Sequence, residues 1–330
     1  MIKVENNYDF SVEELTDILN NTPIKVDFDT NEAVAEHFKK QGKFPNLALM
    51  KISAWHKANG DTVEWFNAIE SHLYDRVYSS KIFDFTPEND YLPPNTIKGG
   101  TGYGLFEDLP KEIDDMFPDY SIYPGCDYAI GFITRGCQNK CSNCYVPQKE
   151  GNIRPYRTWQ EIIRPDTKKL ILMDNNITAH PHGIEQLRQL AETDYAIDIN
   201  QATSVFSITP EIAQIFAKLK WIKYIRFSCD RKPQIEGLYK AARLLEDAGI
   251  PNSKLFIYVL LTKDKEDDLE RIYALRQLKT VTIYGMPYKD MRIGEMPDRW
   301  QNIMAQKYIY SGQWRKMDWN EWVDTHKGYF

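Results

Sequence analysis

The chain is poor in the residues that bind metals and staple loops: 5 cysteines and 6 histidines in 330 residues. So few cysteines in so long a chain argue against a disulfide framework. No apolar run approaches the ~18 residues needed to span a bilayer. The polar, acidic start MIKVENNYDF has neither the cationic flank nor the apolar stretch of a targeting signal. A membrane protein is therefore not expected, and a reducing, cytoplasmic setting is. Positive charge is not in surplus either. With 41 Lys+Arg against 47 Asp+Glu the net charge is -6, so nucleic-acid binding is not indicated. Low-complexity tracts are absent. Hydrophobic residues make up 42% of the chain, enough for real cores, and the length suggests about two domains.

Against that scarcity, three of the cysteines fall together in TRGCQNKCSNCYVP, at Cys137, Cys141 and Cys144. Three thiolates at C-x3-C-x2-C can hold three irons of a four-iron cluster and leave the fourth iron without a protein ligand. An open metal position is where chemistry happens. A structural zinc site would want a fourth ligand, commonly from a matching pair. Cys126, His180 or His182 could complete such a tetrad, and three plain thiols are the remaining reading.

Elements alternate along the chain. Residues 1–22 read as a polar N-terminal extension with one short helix, its apolar positions Val12, Leu15, Ile18 and Leu19 at helical spacing behind Ser11. Residues 23–108 read as a small doubly wound α/β domain. Its strands are IKVDFD (24–29), TVEWF (62–66) and YDRVYSSKIF (74–83), with the helix ALMKISAWHKANG (48–60) between, before the glycine turn of TIKGGTGYG (96–104). Pro110, Pro118 and Pro124 mark 109–127 as a linker.

Over 128–289, candidate strands YAIGFIT, KLILMDN, AIDINQA, YIRFSCD, LFIYVLL and TVTIYGM alternate with helical segments over most of their length. This pattern predicts a parallel barrel or partial barrel of TIM type, with the cysteine loop after the first strand, at the carboxyl end where reactive groups gather. Residues 290–330 read as an aromatic-rich helical segment carrying Trp300, Trp314, Trp319 and Trp322, either packed across the barrel or, in part, lining a pocket.

The cysteine run resembles the signature of the radical S-adenosylmethionine (radical SAM) superfamily, and the resemblance covers about 121–290. It implies a partial (β/α)6 barrel, a [4Fe-4S] cluster on Cys137, Cys141 and Cys144, and SAM chelating the open iron. The implied chemistry is reductive cleavage of SAM and abstraction of a hydrogen atom from an unidentified substrate, with a reductant such as flavodoxin or ferredoxin. The segments PNLALMKISAWHKANGDTVEWF, YDRVYSSKIF and IKGGTGYG are similar to the cobalamin-binding-type Rossmann domain that precedes such barrels in methylthiotransferase-like relatives.

Two departures bear on the site. The superfamily places an aromatic before the third cysteine, where this chain has Asn143, with Tyr145 after it. Cobalamin-dependent relatives carry D-x-H-x-x-G after the first strand. Here IKVDFD is followed by TNEAVAEHF, in which His37 is out of register, so cobalamin is not expected.

At the end of the second barrel strand, Asp174, Asn175 and Asn176 stand where the superfamily binds the SAM ammonium, although an Asx turn would use the same residues. Asn200 and Gln201 end the third strand. Arg226 and Ser228 share one face of the fourth and are expected towards the SAM carboxylate or ribose. Cys229 should face the packing. Arg154 and Arg157 follow the cysteine loop as anion partners or ordinary ion pairs. No residue is assigned as catalytic. The competing reading is a non-catalytic iron–sulfur or zinc protein serving as a sensor.

Overall fold

The computed structural model describes residues 2–6, 44–141, 144–290 and 293–329, and the chain divides into two compact units, 1–127 and 128–330. In the first unit β1 (Ile2–Asn6), β2 (Val63–Trp65), β3 (Arg76–Ser80) and β4 (Ile97–Gly99) form a parallel sheet in the order β2-β1-β3-β4. That is the strand order of a flavodoxin-like doubly wound sheet. The helix Leu47–Ala58 starts where the Asn46 side chain accepts the Leu49 N–H (3.1 Å), and it buries Leu49, Met50, Ile52 and His56.

The first strand differs from expectation. It comes from the segment read as an extension, because IKVEN offers only two apolar residues in alternation, too short a pattern to stand out. The helix of Val12–Leu19, the strand IKVDFD and His37 lie outside the described residues.

Two other segments of this unit have clear physical roles. Residues 109–127, read as a linker, pack into the unit. Ile122 and Tyr123 are buried, the Trp65 indole N–H donates to the Ile122 carbonyl (2.9 Å), and Ser53 donates to Asp119 (2.6 Å). The glycine turn closes on its own unit: a Cβ on Gly100 would lie 2.5 Å from the Lys81 carbonyl oxygen, and Gly102 donates its N–H to that same oxygen (2.8 Å). Its glycines permit close backbone packing.

In the second unit β5 (Ala129–Gly131) leads to a short antiparallel pair, β6 (Thr134–Arg135) and β7 (Arg154–Pro155), that frames the cysteine loop. Next come β8 (Lys169–Leu172), β9 (Ala196–Ile199), β10 (Lys220–Trp221), β11 (Ile225–Ser228), β12 (Leu255–Leu261) and β13 (Thr282–Pro287). The parallel sheets β10-β9-β8-β5 and β11-β12-β13 meet where Thr203 bridges Phe227 and donates its N–H to the Arg226 carbonyl (2.8 Å). All six strands expected from the sequence are present, and the architecture is the α/β partial barrel.

Helices Pro181–Leu190, Pro210–Lys218, Pro233–Asp247 and Lys265–Ala274 connect the strands. Three open on a proline, whose missing N–H costs nothing at a first turn. Strand faces then sort by chemistry. Ile225, Phe227, Leu255, Ile257, Val259 and Leu261 are buried in the main core with residues of these helices, while Arg226, Ser228, Phe256 and Tyr258 occupy the opposite, partly accessible face. The C-terminal tryptophans take the packing role. Trp314, Trp319 and Trp322 are all buried, Trp319 and Trp322 stack at 5.4 Å, and a Cβ on Gly285 of β13 would press on Ile309 at 2.8 Å.

Candidate iron–sulfur and SAM site

The chain reaches the cysteine loop through a turn that only glycine fits. Gly136 has φ 82°, and a Cβ there would sit 2.3 Å from the Asn152 carbonyl oxygen. The close approach is thus to the returning arm of the loop, whose Gly151 carbonyl accepts the Cys137 N–H (3.2 Å). All of the cysteines are free thiols; Cys141 and Cys144 are exposed and Cys137 half-buried. Asn139 donates its backbone N–H to the Cys137 sulfur and Val146 to the Cys144 sulfur, both at 3.4 Å. Although the residue is exposed, partial desolvation of its sulfur raises the Cys144 thiol above its ordinary value against the Val146 hydrogen bond, and the nearby Cys141 and Cys137 push the same way.

Beside this loop lies the turn after β8, and its three residues do different things. Asp174 is buried and turned to the backbone, accepting from the N–H of Ile133 (3.0 Å), the N–H of Thr134 and the Thr134 hydroxyl (2.7 Å). Burial pushes its carboxyl up to about 6, against those hydrogen bonds. Asp174, expected to contact SAM, thus directs its carboxylate to donors within the fold. Asn175 donates to the Glu150 carboxylate (3.0 Å). Asn176 alone turns to the loop: it is buried, its Nδ2 stands 3.9 Å from the Cys137 sulfur, and its Oδ1 is buried without a hydrogen-bond partner.

The other expected positions are further along the strand ends. Asn200 and Gln201 follow β9 and hydrogen-bond to each other (3.3 Å), with Gln201 exposed. Arg226 forms an ion pair with Asp198, so its charge is already matched. Ser228 accepts from Gln234 (3.0 Å). Arg154 donates to the Glu150 carbonyl (2.6 Å), and Arg157 pairs with Glu161 (3.5 Å). Cys229 is fully buried, its thiol pushed up to about 12 by burial.

Glu150 is the residue that the sequence reading missed. Its side chain is only 6% exposed and binds Arg135 (3.0 Å) and the Gly136 N–H (2.8 Å) as well as Asn175. Burial raises its pKa, but Arg135 and the Gly136 N–H outweigh this and hold it below the ordinary value. A buried acid six residues past a cysteine motif carries no signal until its donors are located.

Among the described residues no three Cys, His, Asp or Glu side chains are gathered into a ready-made metal cage. His180 and His182, considered as zinc ligands, cap the helix Pro181–Leu190 and bind the Arg157 carbonyl (3.0 Å). What the loop offers is three soft thiols, N–H groups already directed at two of the sulfurs, and one orphaned amide oxygen. That donor set suits an iron–sulfur cluster, whose sulfurs take such hydrogen bonds, and a cationic group beside it.

An α/β partial barrel with a three-cysteine loop after its first strand is the construction of a radical SAM domain. Residues 132–275 match the family described as the Radical SAM superfamily. Over 212 residues it is 27% identical to "Ribosomal protein uS12 methylthiotransferase RimO" of Clostridioides difficile (strain 630), covering 60% of this chain and 42% of that protein. The solved structure titled "Structure of Cobalamin-dependent S-adenosylmethionine radical enzyme OxsB with aqua-cobalamin bound" is similar over 96% of this chain and 56% of that one, with TM-score 0.51 and 14% identity. That likeness is one of fold. The chain thus spans about half the length of the proteins it matches. None of the helices among the described residues is long and apolar enough to cross a membrane.

Proposed function

We propose that this radical SAM enzyme carries a [4Fe-4S] cluster on Cys137, Cys141 and Cys144, binds SAM beside it, and removes a hydrogen atom from a substrate still to be identified. The observation that carries the reading is Asn176. A buried amide oxygen without a partner costs ~1–3 kcal/mol, and a cationic amino group next to Cys137 would satisfy it. The cluster with bound SAM supplies one-electron cleavage of the sulfonium, for which an external donor of the flavodoxin or ferredoxin class is required. The chain's own residues position the ligands. Gly136 and Gly151 hold the loop, Asp174 fixes the backbone that leads into it, and Asn176 faces the ligand. Asn200, Gln201, Arg226 and Ser228 are proposed to border the remainder of SAM, with Arg226 acting through its pair with Asp198.

The test is anaerobic reconstitution followed by reduction in the presence of SAM. Close to four irons per chain and formation of 5′-deoxyadenosine with methionine are expected. Iron incorporation without SAM binding would favour the non-catalytic reading, and tightly held zinc would overturn the cluster. Asn176→Ala should leave iron content intact and weaken SAM binding on the order of tenfold or more, the weight of one hydrogen bond to a charged group. An unchanged dissociation constant would remove Asn176 from the ligand site.

Cobalamin is not proposed for the first unit. His56, within its helix, is buried, with Nδ1 on Asp61 (2.7 Å) and Nε2 on the Tyr78 hydroxyl (2.9 Å), so both ring nitrogens are engaged. Expression with hydroxocobalamin should therefore leave no stoichiometric cobalt after gel filtration. Retained cobalt would make a cobalamin-assisted reaction the better reading.

A further inference from the structure

We infer that Glu150 is a positioning residue that couples the cysteine loop to the turn presenting Asn176, and that Asn175 serves as its tether and not as a SAM ligand. The inference rests on the functional reading above. One carboxylate gathers three donors from two places in the fold, the entry to the cysteine loop and the turn after β8. Arg135 ends β6, Gly136 immediately precedes Cys137, and Asn175 belongs to the turn after β8.

The backbone of Glu150 closes the other arm of the loop. It follows the helical turn Val146–Lys149 that begins two residues after Cys144, and its N–H donates to the Val146 carbonyl (2.8 Å). Both arms of the Cys137–Cys144 loop are therefore fixed to one residue. Arg135 is itself held in place, with its guanidinium 4.5 Å from the Phe132 ring centroid and 5.5 Å from that of Tyr156. Because Asn176 adjoins Asn175, the grip on Asn175 sets where the free amide of Asn176 lies against Cys137. Coupling of this kind is reciprocal: an ordered cluster loop favours SAM binding, and bound SAM favours the ordered loop.

The reconstituted full chain tests this with Glu150→Ala, Glu150→Gln, Asn175→Ala and the exchanged pair Glu150→Gln/Asn175→Asp. Readouts are iron content, SAM affinity by equilibrium dialysis, and the change that SAM induces in the EPR spectrum of the reduced cluster. Glu150→Ala should bind SAM on the order of tenfold more weakly and show a diminished SAM-induced spectral change while still holding iron. Asn175→Ala, which leaves the Arg135 and Gly136 contacts in place, should weaken SAM several-fold at full iron content, and it decides the matter if Glu150→Ala does not fold.

In the exchanged pair the amide and the carboxylate trade places, so the amide now donates from the cysteine-loop side and the tether is restored with its polarity reversed. Recovery of affinity beyond Glu150→Gln alone is expected. Wild-type affinity in both alanine variants, or no recovery in the exchanged pair, would overturn the inference. Failure of the unmodified protein to bind SAM would instead overturn the functional reading.

Discussion

Replacing any one of Cys137, Cys141 or Cys144 by alanine is expected to abolish the cluster absorbance and reduce bound iron to background. A site-differentiated four-iron cluster has three protein thiolates and no reserve. With one removed, two irons lack a protein ligand and the cluster is lost to solvent, the more readily because Cys141 and Cys144 are exposed. The remaining cysteines provide the control. Cys229 lies fully buried beneath the helices, with a thiol pushed up to about 12, and is therefore inert as a ligand. Cys126 belongs to the first unit. Cys126→Ala and Cys229→Ala should keep both the iron and the spectrum, with at most a modest loss of stability at Cys229. Loss of the cluster in either control would mean that the ligand set is not the one drawn from C-x3-C-x2-C.

That motif was legible because spacing within a loop is a local property and thiolates announce their chemistry by type. The six barrel strands were legible for a related reason: β-branched and aromatic runs such as LFIYVLL separated by helices with Pro starts and Gly stops are local signals. What failed to show were properties of partners distant in sequence. Asp174 has the same composition-level appearance as a ligand, yet its oxygens are claimed by Ile133 and Thr134, about forty residues earlier. Arg226 looked like an available cation until Asp198 was found on the neighbouring strand. Glu150 had no local signal because its role is the convergence of Arg135, Gly136 and Asn175. The first strand was missed for the opposite reason, since Ile2–Asn6 is too short to declare its period and is defined by pairing with β2 and β3.

Arg271→Ala is expected to destabilise the barrel by about 3–5 kcal/mol, the cost typical of removing one partner from a buried ion pair. Arg271 is fully buried and pairs with Asp267 (2.7 Å) and with the buried Asp268. It also donates to the Cys229 carbonyl (2.6 Å) and the Leu260 carbonyl (2.9 Å), so it ties together the carboxyl ends of β11 and β12. Asp268 in turn accepts from the Thr262 N–H (2.8 Å) and hydroxyl (3.0 Å). Burial pushes the Asp268 carboxyl up to about 6 against the pull of Arg271; without that cation it would rise further. A group whose folded-state pKa is raised contributes stability below its unfolded pKa of 3.8 and loses it as pH climbs through the folded value. The deficit of Arg271→Ala relative to wild type should therefore be larger at pH 7.5 than at pH 6. Adding Asp268→Asn should recover part of the loss at the higher pH, because it removes the unpaired charge. Anaerobic urea unfolding of the three proteins at both pH values measures this. A deficit that does not change with pH, together with no recovery in the double variant, would show that the arginine acts through its carbonyl hydrogen bonds alone.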